Sequence, residues 1–218
     1  MTDAHSLPQL TPEEIRVLGS LIEKCTTTPD YYPMTINSVT TACNQKSSRH
    51  PVVEYSEETA LNAIKSLKGQ SFVSLAIGGG SRAVKYKHNF LTLYPLLPAE
   101  LAIMCLLFLR GSQTPGELNT NSARLHEFSS LASVLEVLDK LANAQPPFIK
   151  VADKRAGQKE TRYVHLFGES VQTEEAPLQN EPVVKSGNDL ETRLALVEKE
   201  LAETKAALAT IMKELGLS

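Results

Sequence analysis

The residues of this 218-residue chain that most readily suggest chemistry are five histidines, three cysteines and a run of three glycines. His5, His50, His88, His126 and His165 share no zinc-type spacing with cysteines or carboxylates. Cys25, Cys43 and Cys105 sit singly in apolar helical patterns, with no paired or CxxC spacing. That usage predicts free, buried thiols in a reducing, cytoplasmic compartment. Gly78, Gly79 and Gly80 fall in the tip of a predicted hairpin with no helix after them. They therefore lack the helix N-terminus that holds a phosphate. No catalytic constellation emerges, so the expectation is a non-enzymatic protein with no metal and no cofactor.

The cations make a different pattern. Arg82, Lys85 and Lys87 face no acid in the first hairpin, whereas Lys150, Lys154, Arg155, Lys159 and Arg162 share the second with Asp153 and Glu160. The segment 44–49 places Lys46 and Arg49 beside the amides Asn44 and Gln45. Cations that can lie on phosphates, next to amides that can bond base edges, suit duplex DNA. The charge balance is weaker than that pattern: residues 11–92 carry +2, 97–168 carry +1 and 169–218 carry −5. The body is mildly basic and the tail acidic, short of a balance that announces nucleic-acid binding by itself.

The elements that must position these residues form a repeat. Thr11 is an N-cap, Pro12 suits the first helical position, and Glu14 stands where a capping-box carboxylate belongs. Ile15, Leu18, Leu21 and Ile22 then mark one helical face. A second opening of the same kind, Leu97-Pro98-Ala99-Glu100, lies 86 residues on, with Leu101, Met104, Leu107 and Phe108 on the matching face. Each is followed by a short helix (34–43 with Ile36, Val39 and Ala42 inward; 115–125 with Leu118 inward). A longer helix comes next, over 56–68 with Ala60, Leu61, Ile64 and Leu67 inward, and over 130–142 with Val134, Leu135, Leu138 and Leu141 inward. Alternating strands close each unit, 72–75 with 84–88 and 148–151 with 162–165, placing His88 and His165 in equivalent structural positions. Three helices and a hairpin, twice, predict a mainly α fold with small β wings (α+β). The expected architecture is two tandem winged helix-turn-helix domains over 10–94 and 95–168, behind a flexible N-terminus over 1–9.

Residues 169–187, rich in Glu, Gln, Pro and Ser, read as a disordered linker. Beyond it Leu190, Leu194, Val197, Leu201, Thr204, Leu208, Ile211 and Leu215 alternate at spacings of four and three. That 3.5-residue period predicts a coiled-coil helix over 188–218 and a homodimer, against the plainer alternative of an amphipathic helix lying on its own body. The most apolar stretch, 101–109, is about half the length of a membrane-spanning helix, and no signal peptide is evident.

Residues 43–52, CNQKSSRHPV, together with QTPGEL at 113–118, the glycine-and-arginine tip at 80–82 and RYVHLF at 162–167, resemble the YceH-like family of uncharacterised bacterial proteins. The resemblance covers roughly 10–168 and implies a tandem winged-helix fold in a cytoplasmic bacterial protein, with no reaction attached. Asn119 and Asn121 depart from the more basic helix usual at that place in the family. Two functions follow. The first is duplex DNA binding, as a transcriptional regulator, through the wings and the 44–49 loop. The alternative is a protein–protein assembly module using the same surfaces. Glu57 and Glu58 in the first turn of one recognition helix, and Glu136 and Asp139 on the other, speak for the alternative. So do the 12 residues of 44–55, too many for an ordinary helix-turn-helix turn.

Overall fold

Helix starts in this chain fall where a side chain can accept an otherwise unpaired N–H. The computed structural model describes residues 7–76, 83–153 and 160–168. Helix α1, Pro12–Thr27, opens with a complete capping box: the Glu14 N–H donates to Thr11 Oγ1 (3.3 Å), and the Glu14 carboxylate accepts from the Thr11 N–H (2.7 Å). Thr35 caps α2 (Ile36–Cys43), and Ser56 caps α3 (Glu57–Gly69). Thr114 with Glu117 boxes α6 (Pro115–Asn121), and Ser130 caps α7 (Leu131–Ala142). Each such cap is worth about 1 kcal/mol. In α5, Pro98–Arg110, only the return half of a box is possible, with Glu100 accepting the Leu97 N–H at 2.8 Å. A single turn, α4 (Phe90–Leu93), was not anticipated from sequence; it is too short to show a period.

The strands form two antiparallel pairs. Val73–Ala76 (β1) pairs with Lys85–His88 (β2), Val73 opposite His88; Ile149–Val151 (β3) pairs with Tyr163–His165 (β4), Ile149 opposite His165. The protein is thus mainly helical with small antiparallel sheets, and helix–helix–helix–hairpin occurs twice. A finer repetition strengthens the correspondence. Met34, immediately before the Thr35 cap, exchanges two backbone bonds with Tyr86 (3.0 and 2.8 Å). Gln113, immediately before the Thr114 cap, does the same with Tyr163 (3.1 and 2.8 Å). Each hairpin thereby gains a one-residue third strand.

The two repeats share one hydrophobic core, built where the first helix of one meets the first helix of the other. A Cβ on Gly19 would stand 3.0 Å from both Leu109 Cδ2 and Phe108 Cβ, so the absence of a side chain lets α1 and α5 approach. Helix α5 is buried from Ala102 to Leu109 with no exposed stripe, because α1 covers one side and α6, α7 and β4 cover others. On α7 the expected inward Leu135 is 44% exposed, and Val137 is buried in its place. At 100° per residue Val134, Val137, Leu138 and Leu141 make one stripe, and Leu135 falls beside it.

The chain divides into two units, 1–173 and 174–218, and every described residue belongs to the first. The expected linker and coiled-coil helix lie outside the described residues, as do residues 1–6 of the expected flexible N-terminus. The described end is held firmly: Phe167 is fully buried, and its carbonyl accepts the Leu10 N–H at 2.7 Å. At Gly168 a Cβ would collide with the Leu10 carbonyl and Ile15 Cδ1. The expected outcome for Gly168→Ala is a loss of about 1–3 kcal/mol in urea unfolding, as for an overpacked core site, because backbone cannot yield as a side chain can. An unchanged unfolding midpoint would show that this exit is loosely packed.

Candidate nucleic-acid or partner interface

Residues 85–88 alternate across the sheet, so Lys85 and Lys87 share the face opposite the buried Tyr86. Lys87 is exposed and Lys85 half-buried. Lys46 is exposed on the α2–α3 connection. Among the described residues none of the three has an ion-pair partner. Arg82, Lys154, Arg155 and Lys159 lie outside the described residues.

The other expected contacts are used within the fold. Asn44 donates from Nδ2 to the Tyr55 carbonyl and accepts the Tyr55 N–H on Oδ1, both at 2.8 Å. One amide thus closes the 44–55 connection as a strand partner would. Arg49, only 6% exposed, donates from Nε to the Ala42 carbonyl (3.0 Å) and from both terminal nitrogens to the Glu23 carboxylate (3.1 and 2.6 Å). Burial alone would raise the Glu23 pKa, but the Arg49 hydrogen bonds and charge, with Lys24 adding, hold it below the usual value. Arg16, itself buried, donates to the Cys43 carbonyl (3.2 Å) and the Pro51 carbonyl (2.6 Å). Arg162 donates to the Ser112 carbonyl (2.9 Å) and pairs with Glu117 (2.9 Å). Gln45 accepts from Lys24 Nζ at 3.3 Å. Asn44, Arg49 and Arg162, expected to meet a ligand, are therefore fixed to neighbours. The reason is physical: each partner is distant in sequence, and a buried guanidinium is stable only when paired.

The long connection also explains its own length. Besides these bonds, the His50 N–H donates to the Leu109 carbonyl (2.9 Å) and Arg110 donates to Ser48 Oγ (3.0 Å). The segment bridges the first repeat to the end of α5. On α3 the exposed Lys65 and Lys68, one turn apart, were missed in the sequence. Their signal was present: both fall off the Ala60–Ile64–Leu67 stripe. Glu57, expected to repel phosphate, accepts from Asn37 Nδ2 at 3.2 Å and is thereby partly occupied. On α7 the outward residues are Leu131 (47% exposed), Ala132, Leu135, Glu136, Asp139 and Lys140.

His88 and His165 stand at equivalent places, as expected. Tyr32 Oη accepts the His88 N–H (2.7 Å), and His88 Nδ1 accepts the Phe90 N–H (3.3 Å). His165 packs edge-on against Phe108, ring centroids 5.1 Å apart. Burial lowers both imidazole pKa values to about 4.

A mainly helical protein with a repeated helix–helix–helix–hairpin order and unpaired lysines on its first hairpin is the class these observations define. Residues 10–158 match the family described as "Protein of unknown function, DUF480". A UPF0502 protein of Shewanella piezotolerans is 44% identical over 212 residues, covering 92% of this chain and 96% of that relative. One from Pectobacterium atrosepticum is 42% identical over 210 residues, covering 94% and 98%. One from Shewanella baltica strain OS223 is 50% identical over 166 residues, covering 74% of each chain. The chain belongs to this DUF480/UPF0502 family of uncharacterised bacterial proteins, in agreement with the YceH-like resemblance. Among the described residues no helix is long and apolar enough to cross a membrane.

The histidines give a pH prediction. A base whose pKa falls on folding binds fewer protons folded than unfolded, so acid favours unfolding. Stability should be full above about 6.5, the unfolded histidine value, and should decline as pH falls toward about 4. Urea unfolding across that range should show the decline, flattened in His165→Leu; an identical slope in the variant would exclude His165 as its source.

Proposed function

We propose that each repeat is a winged helix-turn-helix unit and that the protein is non-enzymatic and cytoplasmic, binding duplex DNA through its first unit. The element order, the hairpin after the third helix and the one-residue third strand before each second helix all support this architecture. The observation that carries the function is the group of first-unit surface lysines without ion-pair partners among the described residues, Lys46, Lys65, Lys68, Lys85 and Lys87, against Lys140 and Lys150 in the second unit. In a winged helix the third helix lies in the major groove and the hairpin lays cations on flanking phosphates. Lys65 and Lys68 sit on the first element, and Lys85 and Lys87 on the second. Arg82 extends the first hairpin in sequence, and Lys154, Arg155 and Lys159 lie in the second. Dimerisation through the 188–218 heptads would pair two such surfaces on one duplex.

A specific observation favours the second reading for the second unit. Helix α7 exposes Leu131 and Leu135 beside Glu136 and Asp139, with Lys140 its one exposed cation, and Arg162 is tied to Glu117. A leucine-and-carboxylate face suits a protein partner better than phosphates.

A gel-shift assay on genomic fragments at about 50 mM salt, where screening is weaker than at physiological strength, should show binding that weakens steeply with salt. Replacing Lys46, Lys85 and Lys87 by Ala should flatten the log–log salt slope by about 3, close to one unit per phosphate contact. Arg49→Ala, by contrast, should lower stability by about 1–3 kcal/mol, because the Ala42 carbonyl loses its donor and the part-buried Glu23 keeps only Lys24. No shift at low salt would end the DNA reading and leave the assembly reading standing.

The heptads carry their own test. Deleting residues 188–218 should convert a dimer to a monomer in light scattering while the far-ultraviolet signal of the body is retained. A monomeric full-length chain would exclude the coiled-coil dimer.

A further inference from the structure

Beside the Gly19 crossing, where α1 and α5 diverge, lies a pocket of about 210 Å³. Ile22 and Thr26 of α1 form one wall and Leu101, Ala102 and Cys105 of α5 the other; Leu91, Leu96, Pro98 and Leu125 complete it. It opens to solvent beside the exposed Thr26 and Leu91.

We infer that this pocket is a binding site for a small neutral hydrophobic molecule, of the class of a substituted six-membered aromatic ring. Three observations carry the inference. The lining contains no Lys, Arg, His, Asp or Glu. Its two polar groups are already used, Thr26 Oγ1 donating to the Ile22 carbonyl (3.4 Å) and Cys105 Sγ to the Gly19 carbonyl (3.5 Å). A water molecule needs two to four polar partners to settle in a cavity, and these two groups, their donors already spent, supply fewer. Apolar cavities of about 150 Å³ take benzene or xenon in preference to water, so this larger one has room for a ring and a short substituent. The Cys105 thiol is fully buried and burial pushes its pKa far up, which makes it a wall atom and not a nucleophile. Because α1 belongs to one repeat and α5 to the other, an occupant touches both sides of the contact that joins them. The site is independent of the nucleic-acid reading and stands or falls separately.

Toluene titrated into the full-length protein should shift the methyl NMR resonances of Ile22, Leu101 and Leu125 saturably and raise the melting temperature with concentration. Benzoate, which would have to bury a charge against an apolar wall, should bind at least tenfold more weakly. Ala102→Leu should fill the pocket and abolish the toluene shifts. Thr26→Phe, at an exposed position where folding is not at stake, should weaken them by blocking the mouth. Absent or non-saturating shifts in the wild type, equal binding of benzoate, or undiminished toluene binding in Thr26→Phe would each overturn the proposal.

Discussion

The packing around Phe167 is the interaction on which the rest of the described structure depends. Its ring centroid lies 5.3–6.4 Å from those of Phe72, Phe90, Tyr94, Phe108 and Phe148. Those five residues come from the first hairpin's entry, from α4 and the segment after it, from α5 and from the second hairpin's entry. Edge-to-face geometry dominates, which aromatic quadrupoles favour, and each such pair is worth about 0.5–1.5 kcal/mol beyond burial. A ring at this place cannot be tidy in one repeat and loose in the other. It also explains α4, whose single turn would be marginal alone but presents Phe90 and, just after it, Tyr94 to this cluster.

From that cluster the α1–α5 crossing follows. Phe108 belongs both to the aromatic group and to the wall against Gly19, so the first helices of the two repeats are held back to back. The hairpins and third helices bury one face in the same core and keep the other exposed. The 44–55 connection reinforces the crossing through Arg16, Asn44, Arg49 and His50. A buried ion pair such as Arg49–Glu23 adds little net stability, because desolvation offsets most of its attraction. It does discriminate: the guanidinium finds its full set of acceptors only when this segment lies in this one arrangement.

Local rules made much of this legible. The Thr11, Ser56 and Thr114 caps, the order of elements and the paired positions of His88 and His165 all follow from spacing within a few residues. What stayed hidden depended on contacts between distant segments. Nothing near Arg49 in sequence reveals Glu23, 26 residues earlier, as its partner, and a lone Arg beside Lys46 reads naturally as a phosphate contact. Nearly every position of α5 is apolar, so its pattern could not show that it is enclosed on all sides. Leu135 was misplaced because Val134 and Leu135 are adjacent and only the angular count separates them. Lys65 and Lys68 are of another kind: they lie off the apolar stripe of α3, where a charged residue marks only a solvated face.

The two repeats share their inward residues and differ outward, and that difference is where function has to reside. The backbone pairing of Met34 with Tyr86 recurs in Gln113 with Tyr163, so both hairpins are set by one geometry. Yet the first hairpin leaves Lys85 and Lys87 without an ion-pair partner among the described residues, while the second leaves Lys150 so and ties Arg162 to Glu117. Helix α3 begins with Glu57 and Glu58 and ends in Lys65 and Lys68; α7 exposes two leucines, two carboxylates and Lys140. The same inward packing thus carries outward charges that are distributed differently in the two repeats. Because the core constrains only the inward residues, one scaffold can repeat while its two outward faces diverge in composition.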